Sequence, residues 1–186
     1  FGAAWPSLGN KAIAEAVQKN IDMVGMPKWT EEENKFAKEL QKSLGKKEEG
    51  LPTKVAPLQA ARQNSSSNDI GDITWVVPTG TVRFPIVVPG VQAHHWTAGI
   101  TPTMSIAHKG AVVGAKVMAA SILDLVISPE LRTAAKKQFD EDTKDTKYFS
   151  LLPPGAKPPL DLNREMMEKY RPEMRKFYLT KKADFK

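Results

Sequence analysis

Two amphipathic segments open the chain. Apolar residues recur at spacings of three and four from Asn10 to Val24, which predicts a helix with one apolar face. Gly25 and Pro27 predict its end. Thr30 with Glu33 three residues later predicts a capping box. The second helix should run to about residue 44, with these side chains inward: Phe36, Ala37, Leu40 and Leu44.

The pattern changes after this helix. Residues 45–68 are polar and proline-containing, with little periodicity, and predict an exposed loop or lid. Residues 70–77 and 81–88 are rich in β-branched side chains and flank the turn signal Pro78-Thr79-Gly80. We therefore predict two adjacent strands.

Residues 110–127 are apolar over about the length of a membrane span. Lys116 and Asp124 interrupt the segment, and alanine and glycine dilute it, so the pattern favours a buried helix. It should begin near Ala107 with Ser105 as its cap, and Gly110 and Gly114 should let it pack closely on a sheet. The predicted fold class is α/β, with strands packed against long helices.

The C-terminal third has three parts. Ser128 and Pro129 predict the start of a charged helix that ends near Thr143. Residues 151–186 are typical of a proline-rich linker and tail, the prolines of 152–159 favouring an extended chain. A short helix should begin at Asp161 and be disturbed by Pro172.

Composition limits the kinds of metal ligand and of binding partner that the chain could use. The chain has 186 residues, enough for one domain, and no cysteine, so a metal here would need histidine, carboxylate or carbonyl ligands. The net charge of +6 comes from lysines dispersed among acids, which favours solvated faces over a nucleic-acid groove. The chain begins at Phe1 without a signal-peptide pattern, and we expect a fragment or a processed product.

Three histidines, at positions 94, 95 and 108, carry the candidate chemistry. His108 lies where irregular chain turns into the long helix, a place suited to a metal ligand or a proton carrier. The alternative is an imidazole satisfied by a backbone partner. Asp69 and Asp72 could bind metal, orient a ligand imidazole or end a loop.

Separated motifs resemble one family. They are residues 66–78 (SSNDIGDITWVVP), His94-His95-Trp96, residues 105–110 (SIAHKG) and residues 115–120 (AKVMAA). In this order they resemble the C-terminal part of the aminobenzoyl-glutamate utilisation amidohydrolases, within the dizinc aminoacylase and carboxypeptidase metallopeptidase family. The resemblance covers nearly the whole chain. It implies the second half of a zinc-peptidase-like catalytic domain over residues 1–186, without the lid or dimerisation domain.

The resemblance also implies roles for individual residues. By the match, His108 is a metal ligand and His94 lies on the substrate side as a catalytic residue. Asp69 falls where the wider family has the aspartate of a Ser-Glu-Asp motif, and would orient a ligand without binding metal itself. This chain has Asn68 where the family has the glutamate, which weakens that assignment.

The implied function is metal-dependent hydrolysis of an N-acyl or N-aroyl amino acid such as aminobenzoyl-glutamate, or of a small peptide. The complete site would hold two zinc or manganese ions, with the other ligands supplied by the N-terminal half of the same protein. This segment alone is expected to be inactive. The expected assembly is a homodimer or heteromer without nucleic acid or membrane, in the cytoplasm rather than the periplasm. The alternative function is a non-catalytic structural or interaction module that completes a partner chain.

Overall fold

The computed structural model describes residues 4–61 and 68–178. Within these ranges the chain forms six α-helices and three short 3-10 helices. The α-helices are α1 (Lys11–Val24), α2 (Glu31–Ser43), α3 (Ile70–Thr74), α4 (Ser105–Ile127), α5 (Pro129–Thr143) and α6 (Arg164–Met174). The 3-10 helices are Trp96–Gly99, Thr101–Thr103 and Arg175–Phe177.

The α/β prediction is wrong for the part of the chain that is described, because residues 4–61 and 68–178 contain no strand. The first predicted strand instead begins as α3. Asn68 starts it: its carbonyl accepts from Gly71 N at 2.9 Å, and its side chain accepts from Ile70 N at 3.1 Å. β-branched residues favour a strand mainly through packing against neighbouring strands, and no such neighbour lies in the described ranges.

The second predicted strand, residues 81–88, is irregular and lies across α4. Gly110 faces the Pro85 carbonyl, and Gly114 faces the Phe84 ring. A β-carbon built on Gly110 would lie 2.8 Å from the Pro85 carbonyl carbon and closer still to its oxygen. The glycines thus provide the close approach expected of them, but to a single irregular segment rather than to a sheet.

Two small hydrophobic clusters hold the helices. One joins α1, α4 and α5 through Ile13, Val17, Val117 and Ala135. The other joins α2 to the first turn of α4 and to two loops through Ala37, Leu40, Leu51, Val88 and Ile106. A buried polar contact supports the first cluster, since Asn20 on α1 donates to Ser121 at 3.2 Å and to Asp124 at 2.7 Å. Both clusters therefore include α4.

Local signals predicted three helices correctly, through apolar spacing for α1, the capping box for α2 and Ser128 with Pro129 for α5. Asn10 caps α1 by accepting from Ile13 N, and Gly25 ends the helix with a φ of 74°. Thr30 and Glu33 form the predicted capping box of α2. Ser128 caps α5 by accepting from Leu131 N. The helix limits predicted from these signals are confirmed to within a residue.

The cap predicted for α4 is wrong. Met104 occupies the cap position and makes no side-chain cap hydrogen bond, while Ser105 is the first helical residue. The Ser105 hydroxyl donates instead to Glu33 on α2. A partner distant in sequence has replaced the local one.

The polar stretch after α2 forms no helix as far as residue 61 and is mostly exposed. The buried side chain of Gln41, on α2, holds the first part of this stretch against the helix. It accepts from Gly50 N at 2.7 Å and donates to the Gly50 and Pro89 carbonyls. Leu51 is consequently buried. The rest of the predicted loop, residues 62–67, lies outside the described ranges.

The last described residues, 150–178, belong to a separate compact unit. Its helix α6 begins at Arg164, later than predicted, and includes Pro172, two residues before its end at Met174, after which a 3-10 helix begins at Arg175. None of the α6 residues is buried. Residues 179–186 of the predicted tail are outside the described part of the chain.

Candidate functional site

His108 is the fourth residue of α4, not part of a loop before it. Its backbone amide donates to the Met104 carbonyl at 3.3 Å, and its side chain is exposed. Its imidazole makes no hydrogen bond with any other residue in the described ranges. The ring is thus open to a ligand from outside these residues.

A buried carboxylate fixes the helical turn that carries His108. Glu33 is 7% exposed and accepts from Ser105 Oγ at 2.5 Å and from Lys109 Nζ at 2.8 Å. It also accepts from the Thr30 backbone amide at 2.7 Å, through the capping box. Glu33 therefore lies at the N-terminal ends of both α2 and α4, where the helix dipoles favour a negative charge.

The surroundings of Glu33 keep it ionised. Burial acts to raise the pKa of the carboxyl group, because a charge is costly away from water. The hydrogen bonds from Lys109, Ser105 and the Thr30 amide, together with the Lys109 charge, outweigh burial and lower the pKa from 4.5 to about 2. Glu33 and Lys109, whose side chain is 35% exposed, consequently form a partly buried ion pair at neutral pH.

His94 lies in a loop before the first 3-10 helix, at a φ of 61°. It is the one non-glycine residue of the described ranges with a positive φ, a region that histidine enters more readily than most residues. The ring of His95 contacts the next helix, with Nδ1 2.7 Å from Thr97 Oγ1. Trp96, the first residue of that helix, is 72% exposed. Of the adjacent histidines, only His94 is left without a described side-chain partner.

The two aspartates differ in role. Asp69 directly precedes α3, is exposed and makes no cap hydrogen bond. Asp72 accepts from the Trp5 amide at 3.4 Å. Its hydrogen bond with Tyr148 raises the pKa of the phenol, with burial and the Asp72 charge acting in the same direction. Asp72 therefore helps hold an aromatic cluster together, a role that its position in the sequence did not reveal.

The aromatic cluster joins α3 to two distant segments. Trp5 packs on Trp75, Tyr148 and Phe149 at ring-centre distances of 5.0, 5.9 and 5.1 Å. The indole nitrogens of Trp5 and Trp75 donate to the carbonyls of Phe149 and Pro6 at 2.9 and 2.8 Å. Both indoles are satisfied, which indicates a structural cluster.

The predicted site residues do not form a metal-holding group in the described part of the chain. His94, His108 and Asp69 lie on three different elements, and no group of three or more His, Asp or Glu side chains that could hold a metal occurs in residues 4–61 and 68–178. The chemistry of His108 suits zinc or manganese. These residues therefore fit one ligand of a metal site, and not a complete site.

Most of α4 is exposed, contrary to the prediction of a buried helix. Its buried residues follow a narrow stripe of Ile106, Ala107, Gly110, Gly114, Val117 and Ser121. Large apolar side chains cover much of the remaining surface: Val112, Met118, Ile122, Leu123, Val126 and Ile127. We call this second set the α4 apolar face. By length and composition alone α4 could also cross a membrane.

Comparison with known proteins supports the family resemblance of the motifs. The chain is 28% identical, over 81% of its length, to a subunit of the p-aminobenzoyl-glutamate hydrolase of Escherichia coli strain K12. The similar region spans 37% of that protein. No family model and no solved structure matches the chain. The resemblance predicted from the separated motifs is thus confirmed, to a protein much longer than the region it shares with this chain.

Proposed function

We propose that this chain is the C-terminal part of an amidohydrolase related to p-aminobenzoyl-glutamate hydrolase. The observation that carries the proposal is the similarity to a subunit of that enzyme over 81% of the chain. The proposed reaction is hydrolysis of the amide bond of an N-aroyl or N-acyl amino acid. The similar region is 37% of the relative, which supports the proposal that the complete site includes polypeptide beyond these residues.

His108 is proposed as the metal ligand that this segment contributes. Its imidazole is exposed, and the partly buried Glu33–Lys109 ion pair contacts the helical turn that holds it. A divalent metal bound there would polarise the amide carbonyl and lower the pKa of a bound water. The remaining ligands and the general base are assigned to the rest of the protein, and the absence of a metal-holding group of side chains in the described residues supports this for the ligands.

The α4 apolar face is the proposed contact with that remaining polypeptide. Six large apolar side chains, each at least 45% exposed, lie on one helix. A contiguous apolar surface of this kind usually marks an interface. The relative is named as a subunit, so a second type of chain is a further proposed partner of the complete protein.

The first experiment measures metal and activity together in the intact protein. Zinc and manganese per chain are determined by elemental analysis for wild type, His108→Ala and His95→Ala, alongside hydrolysis of p-aminobenzoyl-glutamate. His95 is the matched control, an exposed histidine whose ring is occupied by Thr97. We expect His108→Ala to lose about one metal equivalent and the activity, and His95→Ala to keep both.

Two results would contradict parts of the proposal. Unchanged metal content in folded His108→Ala would exclude His108 as a ligand. The metal-loaded wild type should also be tested with p-aminobenzoyl-glutamate and a panel of N-acyl amino acids. If it hydrolysed none of them, the proposed reaction would be wrong.

A non-catalytic interaction module is the second candidate, and the α4 apolar face favours it. Both candidates require the face to be covered, so Leu123→Ser should destabilise the intact protein by about 2–4 kcal/mol. Lys137→Ser on exposed α5 is the control and should change stability by less than about 0.5 kcal/mol. Only the catalytic proposal also requires bound metal. If Leu123→Ser changed stability as little as the control does, the α4 apolar face would not be covered by polypeptide in the intact protein.

A further inference from the structure

We propose that α6 binds the surface of an anionic phospholipid membrane, with its apolar side facing the bilayer. The observation that carries the proposal is the distribution of side chains around α6. One side of the helix is apolar, cations follow both edges of that side, and acids lie opposite it. The proposal is independent of the amidohydrolase function, because it concerns where the protein is held and not what it hydrolyses.

The apolar side of α6 is open. Met166, Tyr170 and Met174 follow one another at intervals of four residues, so they lie on one side of the helix. Their side chains are 59%, 46% and 41% exposed, and no residue of α6 is buried. Phe177, in the 3-10 helix that follows, is 85% exposed. A helix normally buries such a stripe, so this one has apolar surface available to a partner.

Cations lie on both edges of the apolar side. At about 100° per residue, Arg164 and Arg171 lie on one edge, and Lys169 lies on the other. Lys169 Nζ is 5.1 Å from the ring centre of Tyr170, which places its charge beside the apolar side. Long basic side chains in such positions can rest their alkyl stems on lipid tails while their charges stay at the level of the phosphates.

The acids of α6 do not oppose a negatively charged surface. Glu165 and Glu168 lie on the side of the helix opposite the apolar residues. Glu173 lies at an edge, but its carboxylate is paired with Lys176 Nζ at 2.6 Å. An anionic surface that meets the apolar side would therefore meet cations and no unpaired carboxylate of α6.

The charge balance of the chain favours the same partner. Residues 150–186 have nine lysines and arginines against five acids, whereas residues 1–149 have eighteen against sixteen. Most of the net charge of +6 therefore belongs to the segment that contains α6. Several cations on and near an amphipathic helix are typical of segments that bind anionic lipid.

The placement of the charges favours a lipid surface over a second copy of this chain. Two α6 helices packed through their apolar sides would bring like-charged edges together, which is unfavourable. A bilayer presents the same negative charge to both edges, and its interface suits tyrosine, which has an apolar body and a polar tip. The expected absence of a membrane partner concerns a spanning segment, residues 110–127, whereas α6 would lie on the surface.

The test is co-sedimentation of the intact protein with vesicles. One set of vesicles contains equal parts of phosphatidylcholine and phosphatidylglycerol, and the other contains phosphatidylcholine alone. We expect binding to the anionic vesicles that weakens as sodium chloride is added, because salt screens the attraction, and no binding to the neutral vesicles. A protein that binds neither set, or binds both equally, would overturn the proposal.

Surface variants test whether α6 is the segment that binds. Met166→Ser removes apolar surface and should weaken vesicle binding about tenfold. Arg171→Gln removes one edge cation and should weaken it about fivefold, whereas Lys137→Gln, on exposed α5, should have little effect. Glu168→Gln, on the opposite side of α6, should not weaken binding. Circular dichroism verifies the fold of each variant, and equal effects of Arg171→Gln and Lys137→Gln would overturn the proposal.

Hydrogen exchange distinguishes a membrane from an acidic protein surface as the partner of α6. In the intact protein without lipid, the α6 amides should exchange faster than those of α2, because α6 has no buried residue. Anionic vesicles should slow their exchange. Amides of α6 that are already as protected as those of α2 without lipid would mean that polypeptide covers the apolar side. That result would overturn the membrane proposal in favour of a protein partner.

Discussion

The Glu33 carboxylate and the Lys109 ammonium are 2.8 Å apart, although 76 residues separate them in the sequence. Glu33 closes the capping box of α2, and Lys109 follows His108 in α4. This ion pair thus joins the start of α2, which has a local capping box, to the start of α4, which has no side-chain cap.

Acid should weaken the fold through Glu33. Its pKa is lowered from 4.5 to about 2, so its stabilising effect is complete above about pH 4.5 and is lost as the pH falls towards 2. The pKa difference corresponds to a free energy on the order of 3 kcal/mol. Urea unfolding of wild type and Glu33→Gln at pH 6, 4 and 3 measures this loss. The stability gap between the two proteins should narrow with acid, and a gap independent of pH would contradict the ionised pair.

Gly110→Ala should destabilise the fold by about 1–3 kcal/mol, because the new methyl group meets the Pro85 backbone. Gly114→Ala should cost less, since it meets the Phe84 side chain, which is 38% exposed and can move. Gly99→Ala is the control, with open space around its β-carbon. Thermal unfolding of the three variants should give this order. Equal melting temperatures for Gly110→Ala and Gly99→Ala would show that residues 84–86 do not cross the helix as described.

Thr101→Val should raise stability by about 1 kcal/mol. The Thr101 hydroxyl is fully buried and has no hydrogen-bond partner among the described residues, so an apolar replacement of the same shape removes a desolvation cost. Thr97→Val is the contrasting variant, because the equally buried Thr97 hydroxyl lies 2.7 Å from His95 Nδ1. Chemical denaturation should move in opposite directions for the two variants. A loss of stability in Thr101→Val would mean that the hydroxyl has a partner in the intact protein.

His94→Gly should leave the fold intact and stabilise it by about 0.5–1 kcal/mol, because glycine adopts a φ of 61° without steric cost. His95→Gly should instead destabilise it by about 1 kcal/mol, since His95 has an extended φ of −105° and contacts Thr97. Under the proposed function, His94→Gly should also lower hydrolysis of p-aminobenzoyl-glutamate. Unfolding and activity assays on the two variants check this, and a His94→Gly protein that is both less stable and fully active would contradict both parts of the prediction.

Helix limits were predictable because their signals are local. Asn10, Thr30 with Glu33, and Ser128 each satisfy amides within three residues of themselves. The strand predictions failed because strand formation depends on contacts that are not local. The β-branched residues of 70–77 and 81–88 favour a strand only when a neighbouring strand is present to pack against them. The turn at Asn68 was available locally and started α3 instead.

The features of the candidate site likewise fall into those that the sequence predicts and those that depend on tertiary contacts. The sequence by itself determined the helix that carries His108, the glycines that admit a close segment, and the capping role of Glu33. Only the tertiary structure decided that Glu33 is buried against Ser105 and Lys109, that Asp72 meets Tyr148, and that the α4 apolar face is open. Capping and periodicity act over a few residues and can be read in order along the chain, whereas burial and charge pairing depend on which distant segments share a volume from which water is excluded.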